Sequence, residues 1–410
     1  MYLPFKIFKF ILYTLLLINS ILCYDPPKRR LHNSVIIDDR LLIFNGITIA
    51  DTSELFYLDL SKSFDNSNLT WTLISKGSPP VYTSRSTAVL SLDNSTIYLY
   101  GGFMKDKNTL DYDYSNLVYS YDYPTSTWSA PKFDGDVVTP RQDIKGVIDN
   151  SGIIYIFGGY NATDLVNNVG PLFNTMNTLN TVTKTWKTLS ISGNPPTVCD
   201  GYAANILSNG NIVYIGGVEQ VSDDANFTLV NMKKIKLFNT HTYQWSQMDA
   251  TGVDVDPRWY FSSVLTPDGN IIIFGGSTRN FTSVSPNLAV LDTNKNPFEW
   301  SIPVNSKTNS PPSIRGHTAN LYYDYMIITF GWNTDAGSYS SLVYLYNIKS
   351  NNWVTTFFPP ENKPIITTTS TTDKSITTSP PEKKSSNSLA IGLGTGLSAA
   401  VLITCGIFLS

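Results

Sequence analysis

Cysteine is nearly missing from this chain, with three in 410 residues. Cys23 and Cys405 fall in apolar terminal segments and Cys199 stands alone in the body. The body therefore has no intrachain disulfide and must rely on core burial. Histidine is as scarce, with only His32, His241 and His317. Charged residues make up 15%, the net charge is −3, and no run of Lys or Arg interrupts the body. That excludes the electrostatic footprint of a nucleic-acid binder. A phosphate-cradling loop opening a helix, a nucleophile elbow and zinc-type His/Cys spacing are also absent. No catalytic residue, metal ligand or cofactor is assigned. Asp111–Tyr112–Asp113–Tyr114 brings two carboxylates close, which reads as an exposed acidic loop or as a lure for a cation. With 32 Asp and Glu residues, a hydrolytic carboxylate pair can arise in many arrangements, and sequence does not decide among them.

Strand and turn material is abundant. Aromatic residues reach 13%, and 26 Gly and 23 Pro favour many short strands over helices. Six apolar runs each end in a glycine pair or its remnant: Leu42–Gly46, Ile97–Gly102, Ile153–Gly159, Ile212–Gly217, Ile271–Gly276 and Ile327–Trp332. Six tryptophans follow them, Trp71, Trp128, Trp186, Trp245, Trp300 and Trp353, at intervals of 57, 58, 59, 55 and 53 residues. Chance does not give that spacing, and it marks an internal repeat.

Each repeat reads as four short strands. A first strand starts near an Arg, and a tight turn such as Asn209–Gly210 or Asp268–Gly269 leads into the apolar run. The run is apolar on both sides, as for a strand covered on both faces. A long loop and a third strand follow, ending in Asp59, Asp122, Asn180, Asn239, Asp292 or Asn347. The tryptophan opens the fourth strand, and a proline-bearing connection returns to the next Arg. Four antiparallel strands per repeat make one propeller blade.

The termini carry different signals. Lys6 and Lys9 precede the apolar run Phe10 to Ile18, too short to span a bilayer, with a cleavage point near Cys23. Residues 1–23 read as a signal peptide, or as an uncleaved anchor. Leu389 to Leu409 is 21 residues without a charge, about 31 Å as a helix, which matches a hydrocarbon core. Residues 361–388, rich in Ser, Thr and Pro, form a disordered stalk of the kind that carries O-linked glycans. No Lys or Arg follows the apolar segment, and Lys383 and Lys384 precede it. Residues 389–409 are thus a transmembrane helix, or a glycolipid-anchor signal with its site at Ser386–Asn387–Ser388. Both readings put the body outside the cell, on the plasma membrane. Sequons at Asn68, Asn94, Asn161, Asn226 and Asn280 fit a secretory glycoprotein.

The order of Arg, glycine pair, aromatic with Asp or Asn, and spaced Trp resembles the kelch repeat, six times over residues 30 to about 357. The departures are Asn45–Gly46, Gly331–Trp332, and Cys199 where an Arg belongs. The resemblance implies an all-β, six-bladed kelch β-propeller over residues 24–360, with blades at about 30–78, 85–134, 141–192, 199–250, 258–304 and 315–358. Pro26–Pro27 and Pro359–Pro360 lie at the same phase of the cycle, so blade 1 is expected to supply all its own strands. Kelch propellers mostly recognise proteins or glycans, which implies a non-catalytic cell-surface binding module with an unidentified protein or glycan partner. The same superfamily contains copper-radical galactose oxidases, and a secreted carbohydrate or alcohol oxidase is the rival. Such a site needs two His, two Tyr and a Tyr-linked Cys. This chain has no Tyr-His dipeptide and only Cys199 in its body, while His32 and His317 hold equivalent positions in blades that meet at ring closure.

In such a blade the loops between strands 2 and 3 emerge beside the connections from strand 4 to the next strand 1. Arg30, Arg85, Arg141, Arg258 and Arg315 then share one face. They either receive an anionic ligand through charge-assisted bonds or bond to carbonyls of neighbouring blades. Glycans at Asn161, Asn226 and Asn280 would shield blades 3 to 5. The binding residues expected on the open half are Arg30, Arg85 and Arg315 with Tyr112, Tyr114, Trp332 and Tyr339.

Overall fold

A computed structural model describes residues 24–49, 53–162, 165, 169–222, 226–304 and 309–360. The signal peptide expected at 1–23, the stalk expected at 361–388 and the membrane or lipid-anchor segment expected at 389–409 lie outside the described residues. No described helix is long and apolar enough to cross a membrane.

Each apolar run is the second strand of an antiparallel four-strand meander, and six such meanders follow one another among the described residues, the third, fourth and fifth each extended by a two-residue parallel strand. The first sheet comprises Asn33–Ile37, Arg40–Phe44, Leu55–Asp59 and Trp71–Leu73. Its register pairs Val35 with Leu42, Leu42 with Tyr57 and Tyr57 with Thr72. The first strands of the other five are Thr87–Leu90, Val147–Ile148, Ala203–Ile206, Ser262–Leu265 and Thr318–Tyr322. Each neighbours the next, and the sixth neighbours the first.

The repeat residues work at the seams between sheets. Apolar side chains gather into six clusters, each drawn mainly from two neighbouring sheets. The repeat tryptophan leans back onto the residue before the preceding glycine pair. Trp128 meets Phe44 at 5.8 Å, Trp186 meets Tyr100 at 5.3 Å and Trp245 meets Phe157 at 4.6 Å. Trp353 meets Phe274 at 5.2 Å, and Trp71 closes the cycle on Phe330 at 5.6 Å. Side-chain oxygens of the repeat Asp and Asn shape the turn into the fourth strand. Asn180 Oδ1 accepts from the Val182 and Thr183 amides, and Asn347 Oδ1 from those of Lys349 and Ser350.

Two backbone rings tie the sheets together. In the outer one, the second glycine of each pair donates its N–H across a seam. Gly46 bonds Thr83 O, Gly102 bonds Arg141 O, Gly159 bonds Cys199 O, Gly217 bonds Arg258 O, Gly276 bonds Ile314 O and Gly331 bonds Arg29 O, at 2.7–2.9 Å. Two residues further on, Leu31, Arg85, Asp143, Gly201, Tyr260 and Gly316 all adopt φ of 54–63°, the left-handed region. Their amides and carbonyls form an inner ring: Leu31 N to Gly316 O, Arg85 N to Leu31 O, Asp143 N to Arg85 O, Gly201 N to Asp143 O and Gly316 N to Tyr260 O. The closing contacts therefore join Arg29 and Leu31 to the sixth sheet. All four strands of the first sheet come from its own repeat, and Thr356–Phe357 adds a two-residue pairing with Phe64–Asp65.

Inside the rings runs a cavity of about 150 Å³ bordered by the first strands. Its wall is polar: Asn33 Nδ2 donates to Ser86 Oγ at 2.7 Å, and Asn205 Nδ2 to Ser263 Oγ at 2.8 Å. His32 Nε2 lies 3.0 Å from Thr318 Oγ1, and His317 Nε2 lies 2.6 Å from Ser262 Oγ. Both imidazoles are buried. Burial pulls the His317 pKa down to about 3, and burial with the nearby charges of Arg29 and His317 lowers His32 well below its ordinary value.

Two outcomes follow from this frame. A Cβ at Gly102, where φ is +88°, would sit 2.4 Å from Ser84 O, whereas one at Gly337, φ +61°, meets nothing within 4 Å. Gly102→Ala should cost about 3 kcal/mol or more and Gly337→Ala about 1 kcal/mol, read by thermal or denaturant unfolding. Equal losses would contradict the latch. The histidines set an acid dependence. The unfolded chain takes a proton near pH 6.5 while folded His317 refuses it until about pH 3, so stability falls as pH drops through that window. The slope is at most about 1.4 kcal/mol per pH unit for each such histidine. The buried carboxyl of Asp200, raised by its surroundings, contributes with the opposite sign. Comparison with His317→Gln isolates the histidine: the variant should show a flatter slope of stability against pH between 7 and 4.

Candidate functional site

Aligned on the outer ring, the six repeats put three residues in successive columns. The first column is Arg29, Thr83, Arg141, Cys199, Arg258 and Ile314, whose carbonyls accept the glycine bonds. The second is Arg30, Ser84, Gln142, Asp200, Trp259 and Arg315. The third is the left-handed ring. The five arginines expected to act alike therefore come from three different columns.

First-column arginines tie down the fold. Arg29 Nη1 donates to Asn45 O at 2.9 Å, Arg141 Nη1 to Gly158 O at 2.7 Å and Arg258 Nη1 to Gly275 O at 3.1 Å. Each satisfies the carbonyl of the first residue in its glycine pair or remnant, and all three arginines are buried. Arg29, not Arg30, is thus the counterpart of Arg141 and Arg258. Arg141 and Arg258 do bond carbonyls, but those of their own repeats and not of the neighbouring blades as expected.

Arg30, Arg85 and Arg315 do something else. Arg30 lies over Trp332 at 5.3 Å and Tyr339 at 5.6 Å. Arg315 lies over Phe281 at 4.1 Å and Trp332 at 5.8 Å. Trp332 faces both Arg315 and Tyr339 across short strands, and its ring meets Tyr339 edge-on at 5.0 Å. No ion pair among the described residues involves Arg30 or Arg315. Burial and the charges of Arg30 and Arg85 pull the Arg315 pKa down to about 10, which still leaves it cationic at neutral pH. The structure therefore brings together Arg30, Arg315, Trp332 and Tyr339.

Arg85, in the third column, reaches the mouth of the central cavity. Its Nη1 bonds Asp143 Oδ2 at 3.1 Å, and Tyr260 Oη donates to the same oxygen at 3.2 Å. Residues of three different sheets thus meet over the mouth. Asp143 holds the Arg85 guanidinium above its ordinary pKa. Burial lifts the Asp143 carboxyl, and Arg85 and Tyr260 restrain that rise.

Tyr112 is tilted against Phe103 at 5.9 Å and stacks with Tyr114 at 6.4 Å, with Lys105 Nζ 5.4 Å from its ring centroid, and Phe103 lies under Arg85 at 5.3 Å. Phe103 thus connects it to Arg85. Tyr114 turns against the core between the first two sheets, its Oη buried without a hydrogen-bond partner. Alternation along Tyr112–Asp113–Tyr114 does not reveal that inward turn, because the loop wraps over the seam. Asn68, Asn94, Asn226 and Asn280 are exposed and Asn161 is half-buried.

A second cavity, of about 180 Å³, is bordered by Asp143, Asp200, Phe227, Trp259, Tyr260 and Arg279, among others. It lies mostly in the third to fifth sheets, opposite the half favoured by sequon placement. Sequence reading passed over Asp200 and Trp259. Their signal was their place directly after a first-column residue.

The comparisons with known proteins agree with this geometry. A family model described as the KLHDC2/KLHL20/DRC7 Kelch-repeats domain matches residues 20–217 and 210–377. Kelch domain-containing protein 3 of Rattus norvegicus is 26% identical over 258 residues, covering 61% of this chain and 64% of its own length. Kelch domain-containing protein 1 of Homo sapiens is 23% identical over 285 residues, covering 66% of this chain and 68% of its own length. An N-(sulfonatooxy)prop-2-enimidothioate sulfolyase of Thlaspi arvense is 23% identical over 272 residues, covering 64% of this chain and 74% of that protein. The solved structure of YjhT superposes with a TM-score of 0.58 at 14% identity, covering 82% of this chain and 99% of that one, which shows the fold alone. Paired glycines that latch neighbouring sheets, tryptophans that fill the seams and a family match across most of the described residues lead to one assignment: this chain belongs to the KLHDC2/KLHL20/DRC7 kelch-repeat family.

Proposed function

We propose that residues 24–360 form a six-bladed kelch propeller that serves as a non-catalytic recognition module on the cell surface. Its ligand is an acidic protein segment or an anionic glycan. The observation that carries this reading is the pair Arg30 and Arg315, cationic, without a carboxylate partner and held between Phe281, Trp332 and Tyr339. Aromatic and arginine side chains are the usual anchors of interfaces, and guanidinium groups bind carboxylate and sulfate through paired N–H bonds. The kelch relatives fit a binding role, while a sulfolyase among them keeps an enzyme in view. The oxidase reading finds less support. His32 and His317 each approach hydroxyl groups through Nε2, and burial raises the Cys199 thiol.

Glycan arrays and acidic peptide libraries presented to the full chain test this reading. Arg30→Ala with Arg315→Ala should weaken the best anionic ligand at least tenfold with little change in melting temperature. Binding equal to wild type, or peroxide release from galactose after copper loading, would overturn it.

The location belongs to the same proposal. Residues 1–23 would direct secretion and residues 389–409 would tether the propeller through the stalk, with glycans at the five sequons. Phosphoinositide-specific phospholipase C should release the protein from cells if the tether is a glycolipid, and a tag after Ser410 should persist if it is a helix. A protein found only in the cytosol would refute the surface role.

A further inference from the structure

The cavity beside Asp200 has a charge balance that the anion-binding cluster does not explain. Asp200 is 7% exposed, borders the cavity, and its Oδ1 is buried with no hydrogen-bond partner. Asp143 also borders it and spends Oδ2 on Arg85 and Tyr260, leaving its own Oδ1 buried and unpartnered. Of the two arginines that border the cavity, Arg85 is paired with Asp143 and Arg279 makes no ion pair among the described residues, so Asp200 has no directly bonded counter-charge. Burial and the neighbouring Asp143 push the Asp200 carboxyl well above its ordinary pKa, as expected for a buried acid that lacks a counter-charge.

The walls favour the same kind of occupant. Tyr160, Phe227, Trp259 and Tyr260 surround the space, and the Trp259 and Tyr260 rings stack at 4.3 Å. Trp259 is fixed by its Nε1, which donates to Thr278 O at 3.2 Å. Aromatic faces attract ammonium and guanidinium groups, most strongly where water is excluded. A cation is present at the rim, since Arg279 lies over the Phe227 ring at 5.7 Å and donates to the Phe227 carbonyl. Arg279 is exposed, so solvent screens its charge, and it makes no ion pair with Asp200.

We propose that this cavity, with Asp200 and Asp143 at its base and Trp259 and Tyr260 as walls, binds one organic monocation, an alkylammonium or guanidinium group. A divalent metal is a poorer fit: no group of three or more His, Cys, Asp or Glu side chains is placed for one among the described residues, and indole and phenol rings give it no ligand. The cation is either a free amine or a lysine or arginine side chain of a bound protein. The chemistry at Asp200 is the same for both.

Titration calorimetry on the full chain tests the site with n-butylammonium and methylguanidinium chlorides, with 1-butanol as the uncharged control. Both cations should bind saturably and 1-butanol at least tenfold more weakly. Asp200→Asn should lose at least tenfold in affinity while its melting temperature holds or rises, because it removes a buried carboxyl that has no partner. Should that variant fail to fold, Trp259→Leu replaces it and should bind several-fold more weakly. Tighter binding of Nα-acetyl-lysine methylamide than of butylammonium would identify a protein side chain as the source, and the reverse a free amine. Unchanged binding by both variants, equal binding of 1-butanol, or calcium binding that excludes the organic cations would overturn the proposal.

Discussion

Everything in this fold hangs on a hydrogen bond repeated six times: a glycine N–H at the end of one sheet reaches a carbonyl at the start of the next. A sheet that carries apolar side chains on both faces needs neighbours on both sides, and six such sheets satisfy one another only when the last meets the first. The glycine bond fixes how closely they approach. Gly101 allows the approach because a Cβ there would sit 2.4 Å from Arg141 O across the seam. The seam clusters then fill, with four of the six tryptophans on the ring just before the preceding glycine pair or its remnant.

That geometry sorts residues of one type into different roles. Arg141 and Arg258 are buried and bonded to carbonyls, while Arg315, one column later, presents its guanidinium to aromatic rings. A shift of one position along the chain turns a cation bonded to carbonyls into one packed on aromatic rings. Asp143 and Asp200 follow the same logic. Asp143, in the left-handed column, pairs with Arg85 over the central cavity; Asp200, one column earlier, is left without a counter-charge.

The mouth of the ring is therefore electrically divided. The sixth and first sheets bring Arg30 and Arg315, and the third and fourth bring Asp143 and Asp200. Arg85 stands between, bonded to Asp143 and raising the electrostatic cost of a proton on Arg315. The fields are strong because the groups are enclosed and water cannot screen them fully. Burial keeps His32 and His317 neutral beneath.

The repeat was legible from sequence because it is written in covalent order. Tryptophan spacing, glycine pairs and apolar runs gave the strands, their order and the family resemblance, and Asn180 and Asn347 stand at the turns their type suggests. The candidate site was legible only in part. Arg30, Arg315, Trp332 and Tyr339 do meet, yet Tyr114 packs half-buried against the seam of the first two sheets and the cavity at Asp200 went unread. Local sequence sets which residues can form a strand or a turn, since those depend on neighbours a few positions away. It cannot set which side chains converge from sheets more than a hundred residues apart, as Asp143 and Tyr260 do, because that depends on ring closure and on the exact column each residue takes beside a glycine bond.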